Sequence, residues 1–139
     1  AAEVVAAGAA FLVAPGTRPA IAEDMKATGA AVMLGALTPT ELMLAVELGA
    51  DVVKVFPSSL GGPSYLRALR GPFPEVPLMP TGGVDERNLP DWFAAGAIAI
   101  GAGGELTPAT ALAAGDWRVV EQNARRFRSA LDRVRAGAA

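Results

Sequence analysis

The chain of 139 residues contains no cysteine and no histidine. Without cysteine there is no disulfide, no thiolate metal site and no thiol nucleophile. Without histidine, the usual general base, the usual partner of a nucleophilic serine and the commonest metal ligand are all missing. Any nucleophile must be a lysine, a serine, a threonine or a carboxylate, and no metal site is expected. No apolar run reaches the ~18–20 residues of a membrane span. The amino end has no charged stretch leading into an apolar one, so no secretory leader is read there. The formal net charge of −2 creates no global field for nucleic acid or an anionic membrane. These absences point to a cytoplasmic enzyme acting on a small molecule, with neither nucleic acid nor membrane as partner.

Two further shortages matter. A complete α/β barrel usually needs about 200 residues or more. The chain also opens Ala1-Ala2-Glu3-Val4-Val5, with no initiator methionine and no helix-start signal. The expectation is a segment of a longer protein, read as one domain over residues 1–139 with no linker or low-complexity stretch. Charge is uneven along it. From Asp116 onward lie six of the twelve Lys and Arg residues, against Asp116, Glu121 and Asp132. Because apolar residues interleave with them, the pattern reads as a solvated helix face rather than a nucleic-acid tail.

What is present is a weak repeat. Ala7-Gly8-Ala9-Ala10 leads into Phe11-Leu12-Val13-Ala14, Thr28-Gly29-Ala30-Ala31 into Val32-Met33-Leu34, and Leu48-Gly49-Ala50-Asp51 into Val52-Val53-Lys54-Val55-Phe56. Ala95-Gly96-Ala97 leads likewise into Ile98-Ala99-Ile100. The first three glycines are 21 and 20 residues apart, and 47 residues separate Gly49 from Gly96, room for two units. The strand between is Val76-Pro77-Leu78-Met79-Pro80. Each unit is a helix ending at glycine, followed by a short apolar strand. Such strands, joined by helices, are parallel and buried on both faces.

Five parallel strands are therefore expected near residues 10–14, 31–35, 51–56, 76–80 and 97–101. Helices are expected over Pro19–Thr28, from Pro39 with Thr38 and Glu41 as a capping box, and over Asp116–Arg135. In the last, Trp117, Val120, Ala124, Phe127, Leu131 and Val134 form an apolar stripe. The Gly61-Gly62-Pro63-Ser64 stretch reads as a helix start capped by Ser64. A doubly wound sheet would show the same alternation. The polar clusters at every strand end favour a (β/α)₈ barrel, whose strand C-termini share one site; this chain would hold about the last five βα units.

Two features bear on chemistry. Period-2 alternation puts Val52, Lys54 and Phe56 on one face, the interior if this strand is a barrel stave. Desolvation there favours the neutral amine, which can attack a ketone to form an iminium. The competing reading is a lysine whose stem lies on apolar surface while its head reaches water. Glycine pairs then follow two consecutive strands, in Thr81-Gly82-Gly83 and Gly101-Ala102-Gly103-Gly104. Backbone N–H groups there can converge on a phosphate, although a lone Gly-Gly is often only a turn.

Taken in order, Ala14-Pro15-Gly16-Thr17, Val53-Lys54-Val55-Phe56-Pro57, Gly71-Pro72-Phe73 and Pro80-Thr81-Gly82-Gly83 resemble the 2-keto-3-deoxy-6-phosphogluconate / 4-hydroxy-2-oxoglutarate aldolase family. Thr38 to Met43 and Ala114-Gly115-Asp116-Trp117 fit the same pattern. The resemblance runs over essentially the whole chain. It implies a class I aldolase that cleaves a 2-keto-4-hydroxy acid to pyruvate and an aldehyde, without a cofactor, as a homotrimer. By position, Lys54 matches the Schiff-base lysine, while Phe56 and Pro15 match residues that contact the keto acid. Thr81, Gly82 and Gly83 match the phosphate loop, with Gly103 and Gly104 beside it. The family's general-base Glu and its carboxylate-binding Arg and Thr belong to the first three strands, so no residue here takes those roles. Gly104 stands where the family often carries a phosphate-binding Ser. The alternatives are another phosphate-binding barrel, such as an epimerase or synthase, and a non-catalytic oligomeric scaffold.

Overall fold

A computed structural model describes residues 1–137. Its elements alternate: α1 (Ala2–Ala6), β1 (Phe11–Val13), α2 (Pro19–Lys26), β2 (Ala31–Ala36), α3 (Pro39–Glu47) and β3 (Val52–Val55). A 3-10 turn (Ser58–Leu60) and α4 (Gly62–Arg70) lead to β4 (Leu78–Pro80), α5 (Leu89–Ala94), α6 (Ala109–Ala114) and α7 (Trp117–Gly137). The strands form one parallel sheet in the order β1-β2-β3-β4. Sequential order with every crossover through a helix is the winding of a (β/α)₈ barrel, of which this chain holds part.

The local signals explain most of these elements. At α3, Thr38 Oγ1 accepts from the Glu41 N–H at 3.3 Å, and the Glu41 carboxylate accepts from the N–H groups of Leu37 and Thr38, both at 2.8 Å. Gly8, Gly29, Gly49 and Gly96 all have positive φ, the backbone turn that ends each helix and, after the first three, releases the next strand. At the lower end of the sheet, the Asp51 carboxylate accepts from Val32 N–H at 2.7 Å and ties β3's start to β2.

Alternation in the strands divides the sheet into two unlike faces. Leu12, Val32, Leu34, Val53, Val55 and Leu78 point under the helices and are at most 7% exposed. They join Ala22, Leu42, Ala45, Leu66, Leu69, Leu89 and Trp92 in one core. Each aliphatic side chain fully buried there contributes roughly 1.5–3 kcal/mol. On the opposite face Phe11 and Val13 are 54% and 43% exposed, and Lys54 is half-buried.

Three expectations need correction. Residues 97–101 form no regular strand. They lie beside β4 through Ile98 N–H to Leu78 O at 3.1 Å, Gly101 N–H to Pro80 O at 2.9 Å and one parallel bridge, Thr81 to Gly101. The glycines that follow Ile100 offer no side chain to pack and cost chain entropy to extend, which weakens a ladder there. The stripe of α7 is also shifted. Phe127, Leu131 and Val134 pack inward, but Trp117 is 66% exposed and Ala124 is exposed. Asn123 is buried instead, its amide donating to Leu106 O at 3.2 Å. Finally, Ser64 lies inside α4 and donates to Gly61 O at 3.0 Å, so it does not cap that helix.

Candidate active site

The C-terminal ends of the strands bring Pro15, Lys54, Phe56, Thr81 and Gly82 into neighbouring positions. Lys54 on β3 lies in register between Gly35 of β2 and Met79 of β4. Its neighbours Val53 and Val55 are fully buried on the helix side, which fixes the lysine to the open face. Phe56 continues that face, and the Lys54 ammonium sits over its ring, 4.7 Å from the centroid. Among the described residues no carboxylate forms an ion pair with Lys54. Burial pushes the amine below the ordinary lysine range, with no carboxylate among the described residues paired to oppose it. An amine so placed keeps a larger neutral, nucleophilic fraction near neutral pH.

On the β2 side, the loop carrying Pro15 folds tightly over Gly35. A Cβ on Gly35 would fall 2.1 Å from the Pro15 carbonyl carbon, so only glycine admits this approach. The loop is pinned twice, by Ala14 N–H to Met33 O at 2.9 Å and by Thr17 Oγ–H to Gly35 O at 2.8 Å. Pro15 is thus held against the residue in register with Lys54. In the sequence Thr17 stands out only as part of the Ala14-Pro15-Gly16-Thr17 motif, and neither it nor Gly35 has a role legible there, because their partners lie in a different repeat.

On the β4 side, Thr81 follows the strand and bridges to Gly101. Its Oγ1 is buried and, among the described residues, has no hydrogen-bond partner. A Cβ on Gly101 would meet that oxygen at 2.3 Å, so glycine is needed there as well. Gly82 and Gly83 follow with φ of +91° and +74°, and Phe56 lies 3.7 Å from where a Gly82 Cβ would stand. Among the described residues, the N–H groups of Gly82, Gly83, Gly103 and Gly104 donate to no protein acceptor. Several carbonyls of the same loops are occupied: Gly82 O by Ser58 Oγ–H at 2.6 Å, Gly83 O by Asn88 Nδ2–H at 2.8 Å, and Gly103 O by the N–H groups of Leu106 and Thr107, both at 2.9 Å. Free amides beside engaged carbonyls are what an anion site requires, since an oxygen turned inward would repel the ligand.

Elsewhere the chemistry is thin. Among the described residues, no group of three or more Asp or Glu is placed to hold a metal ion. A cavity of about 430 Å³ between α5 and α7 is lined by Pro90, Phe93, Ala130, Val134 and charged neighbours, with no lysine, serine or threonine in it. No helix among the described residues is long and apolar enough to cross a membrane.

Known proteins resemble this chain in sequence and in fold. The family model for KDPG and KHG aldolase matches residues 1–123. A KHG/KDPG aldolase of Escherichia coli K12 is 38% identical over 126 residues, covering 89% of this chain and 59% of that protein. A solved native KDPGal structure superposes with a TM-score of 0.84 at 30% identity, over 96% of this chain and 66% of that one. A KDPG aldolase from Legionella pneumophila, with pyruvate captured at low pH as a covalent carbinolamine intermediate, superposes with a TM-score of 0.77 at 26% identity, over 91% of this chain and 61% of that one. The chain spans less than two thirds of the length of each of these proteins.

Proposed function

The chain belongs to the KDPG and KHG aldolase family, and from that premise we propose that Lys54 is the Schiff-base residue of a class I aldolase acting on a 2-keto-4-hydroxy acid. The observation that carries this is the Lys54 amine itself. It is half-buried, unpaired, depressed in proton affinity and stacked over Phe56 on the face shared by the strand-end loops.

The neutral amine attacks the C2 carbonyl, and the resulting carbinolamine loses water to give an iminium. Loss of the proton from the C4 hydroxyl expels the aldehyde, and the C3–C4 bonding pair moves into an enamine. Protonation at C3 and hydrolysis of the iminium release pyruvate and restore the lysine. The carbinolamine captured in the Legionella aldolase is the intermediate this route requires. No residue of this chain is assigned to move the protons. Phe56 and Pro15 bound the keto-acid end. The amides of Gly82, Gly83, Gly103 and Gly104, in loops that flank the buried Thr81 hydroxyl, receive a phosphorylated far end such as that of 2-keto-3-deoxy-6-phosphogluconate. Unphosphorylated 4-hydroxy-2-oxoglutarate would leave that end empty. Homotrimeric assembly is part of the same reading and rests on family resemblance.

Borohydride reduction of the complete protein with pyruvate tests the mechanism. The expected product is a pyruvate-derived adduct on the peptide containing Lys54. An adduct on Lys26, or none, rejects the assignment. Relatives named as aldolases favour this reading over an epimerase, a synthase or a scaffold.

A further inference from the structure

We propose that Ser58 is a positioning residue that turns the Gly82 and Gly83 amides toward the anionic end of the substrate. This rests on the reading of the Thr81-Gly82-Gly83 loop as a phosphate site. Ser58 lies at the rim, in the turn that leaves β3, yet it is only 2% exposed. Its N–H donates to Thr81 O at 2.9 Å and its Oγ–H to Gly82 O at 2.6 Å. One residue therefore holds two successive carbonyls of the glycine loop.

Peptide geometry makes this consequential. In a planar trans peptide the carbonyl of one residue and the N–H of the next point in opposite directions. Holding Thr81 O directs the Gly82 N–H away from Ser58, and holding Gly82 O does the same for the Gly83 N–H. Asn88 secures the next carbonyl, donating from Nδ2 to Gly83 O at 2.8 Å. Its amide has one orientation available. Oδ1 accepts from Asp85 N–H at 3.0 Å and from Trp92 Nε1–H at 3.1 Å, so Nδ2 must be the atom facing Gly83. A flipped Gly82–Gly83 peptide would present an oxygen to the anion. Glycine, free to take φ of +91° and +74°, would otherwise make that flip accessible. Ser58 also stands four residues after Lys54, so the turn that follows the reactive amine is the one that orients the anion loop.

The test uses the complete protein and its Ser58→Ala variant, with inorganic phosphate as the calorimetric probe and borohydride trapping of pyruvate as the second readout. Loss of the Oγ–H should weaken phosphate about three- to ten-fold and raise KM for a phosphorylated substrate to match, with kcat within about two-fold. Pyruvate trapping on Lys54 should persist. Ser58→Cys, which keeps the volume and a weak donor, should fall between the two, and serves if the alanine variant does not fold. Unchanged phosphate affinity in a folded variant overturns the proposal. So does a parallel loss of phosphate binding and trapping, which marks a purely structural serine. If the parent traps pyruvate but binds no phosphate, this proposal fails while the aldolase reading stands. If phosphate binding weakens as expected but Lys54 never traps pyruvate, the aldolase mechanism fails while the role of Ser58 stands.

Discussion

The two faces of the parallel sheet are built from the same strands and serve opposite ends. On the helix side, Val32, Leu34, Val53, Val55 and Leu78 are at most 1% exposed. One residue away along the same strands, Met33, Gly35, Lys54 and Met79 turn to the other side, where the lysine, the Pro15 loop and the glycine loops gather. Strand alternation keeps the two tasks apart. Packing locks the backbone from one side, so the other can hold an amine that packing alone would disfavour.

Lys54→Arg probes that division most severely. Arginine keeps the charge and most of the stem but cannot form an iminium, so turnover should fall by at least ~10³-fold. Thermal unfolding should stay close to that of the parent, because the replaced side chain lies outside the core. Retained activity, or a collapse of the fold, would break the comparison. Leu34→Ala probes the opposite face. Leu34 is fully buried and lies in register with Val53. The cavity should cost about 2–5 kcal/mol by denaturant unfolding, while folded protein at low temperature still traps pyruvate at near the parental rate. A loss of trapping without a loss of stability would show that the faces are not separate.

Much of this was legible in the sequence because its causes are local. The glycine-ended repeat placed four strands to within two residues at each end, and Thr38 and Glu41 announced their capping box through a three-residue spacing. The side of β3 on which Lys54 falls followed from alternation alone. What failed had local causes as well as partners distant in sequence. Ile98-Ala99-Ile100 has the composition of the other strands, but with glycines beyond it the segment makes two hydrogen bonds to β4 and one bridge to Thr81 rather than a ladder. On α7 the 3-and-4 spacing selected Ala124 where the structure buries Asn123, because Leu106 O, 17 residues away, needs a donor. Ser58 and Ser59 are indistinguishable as sequence. Only the loop 24 residues downstream makes the first a clamp for Gly82.

The smallest expected effect, and the one that joins the two faces, is the response of stability to pH. Burial lowers the proton affinity of Lys54 in the folded protein relative to the unfolded chain. Below the folded value the amine is charged in both states, and the folded state bears the full desolvation cost. Between the folded and the unfolded values, the unfolded chain binds more protons than the folded one, so stability rises with pH across that window. Above the unfolded value the amine is neutral in both states and the cost has gone. Lys54→Met removes the titrating group while keeping an unbranched apolar stem. It should be more stable than the parent below the window, with the difference shrinking as pH rises through it. Because the amine is only half-buried, water screens part of the cost, and the gain should be smaller than the loss caused by Leu34→Ala. Urea midpoints for both proteins from neutral pH to above pH 10 provide the measurement. Parallel curves would mean that Lys54 titrates alike in both states, and that the open face does not depress its proton affinity.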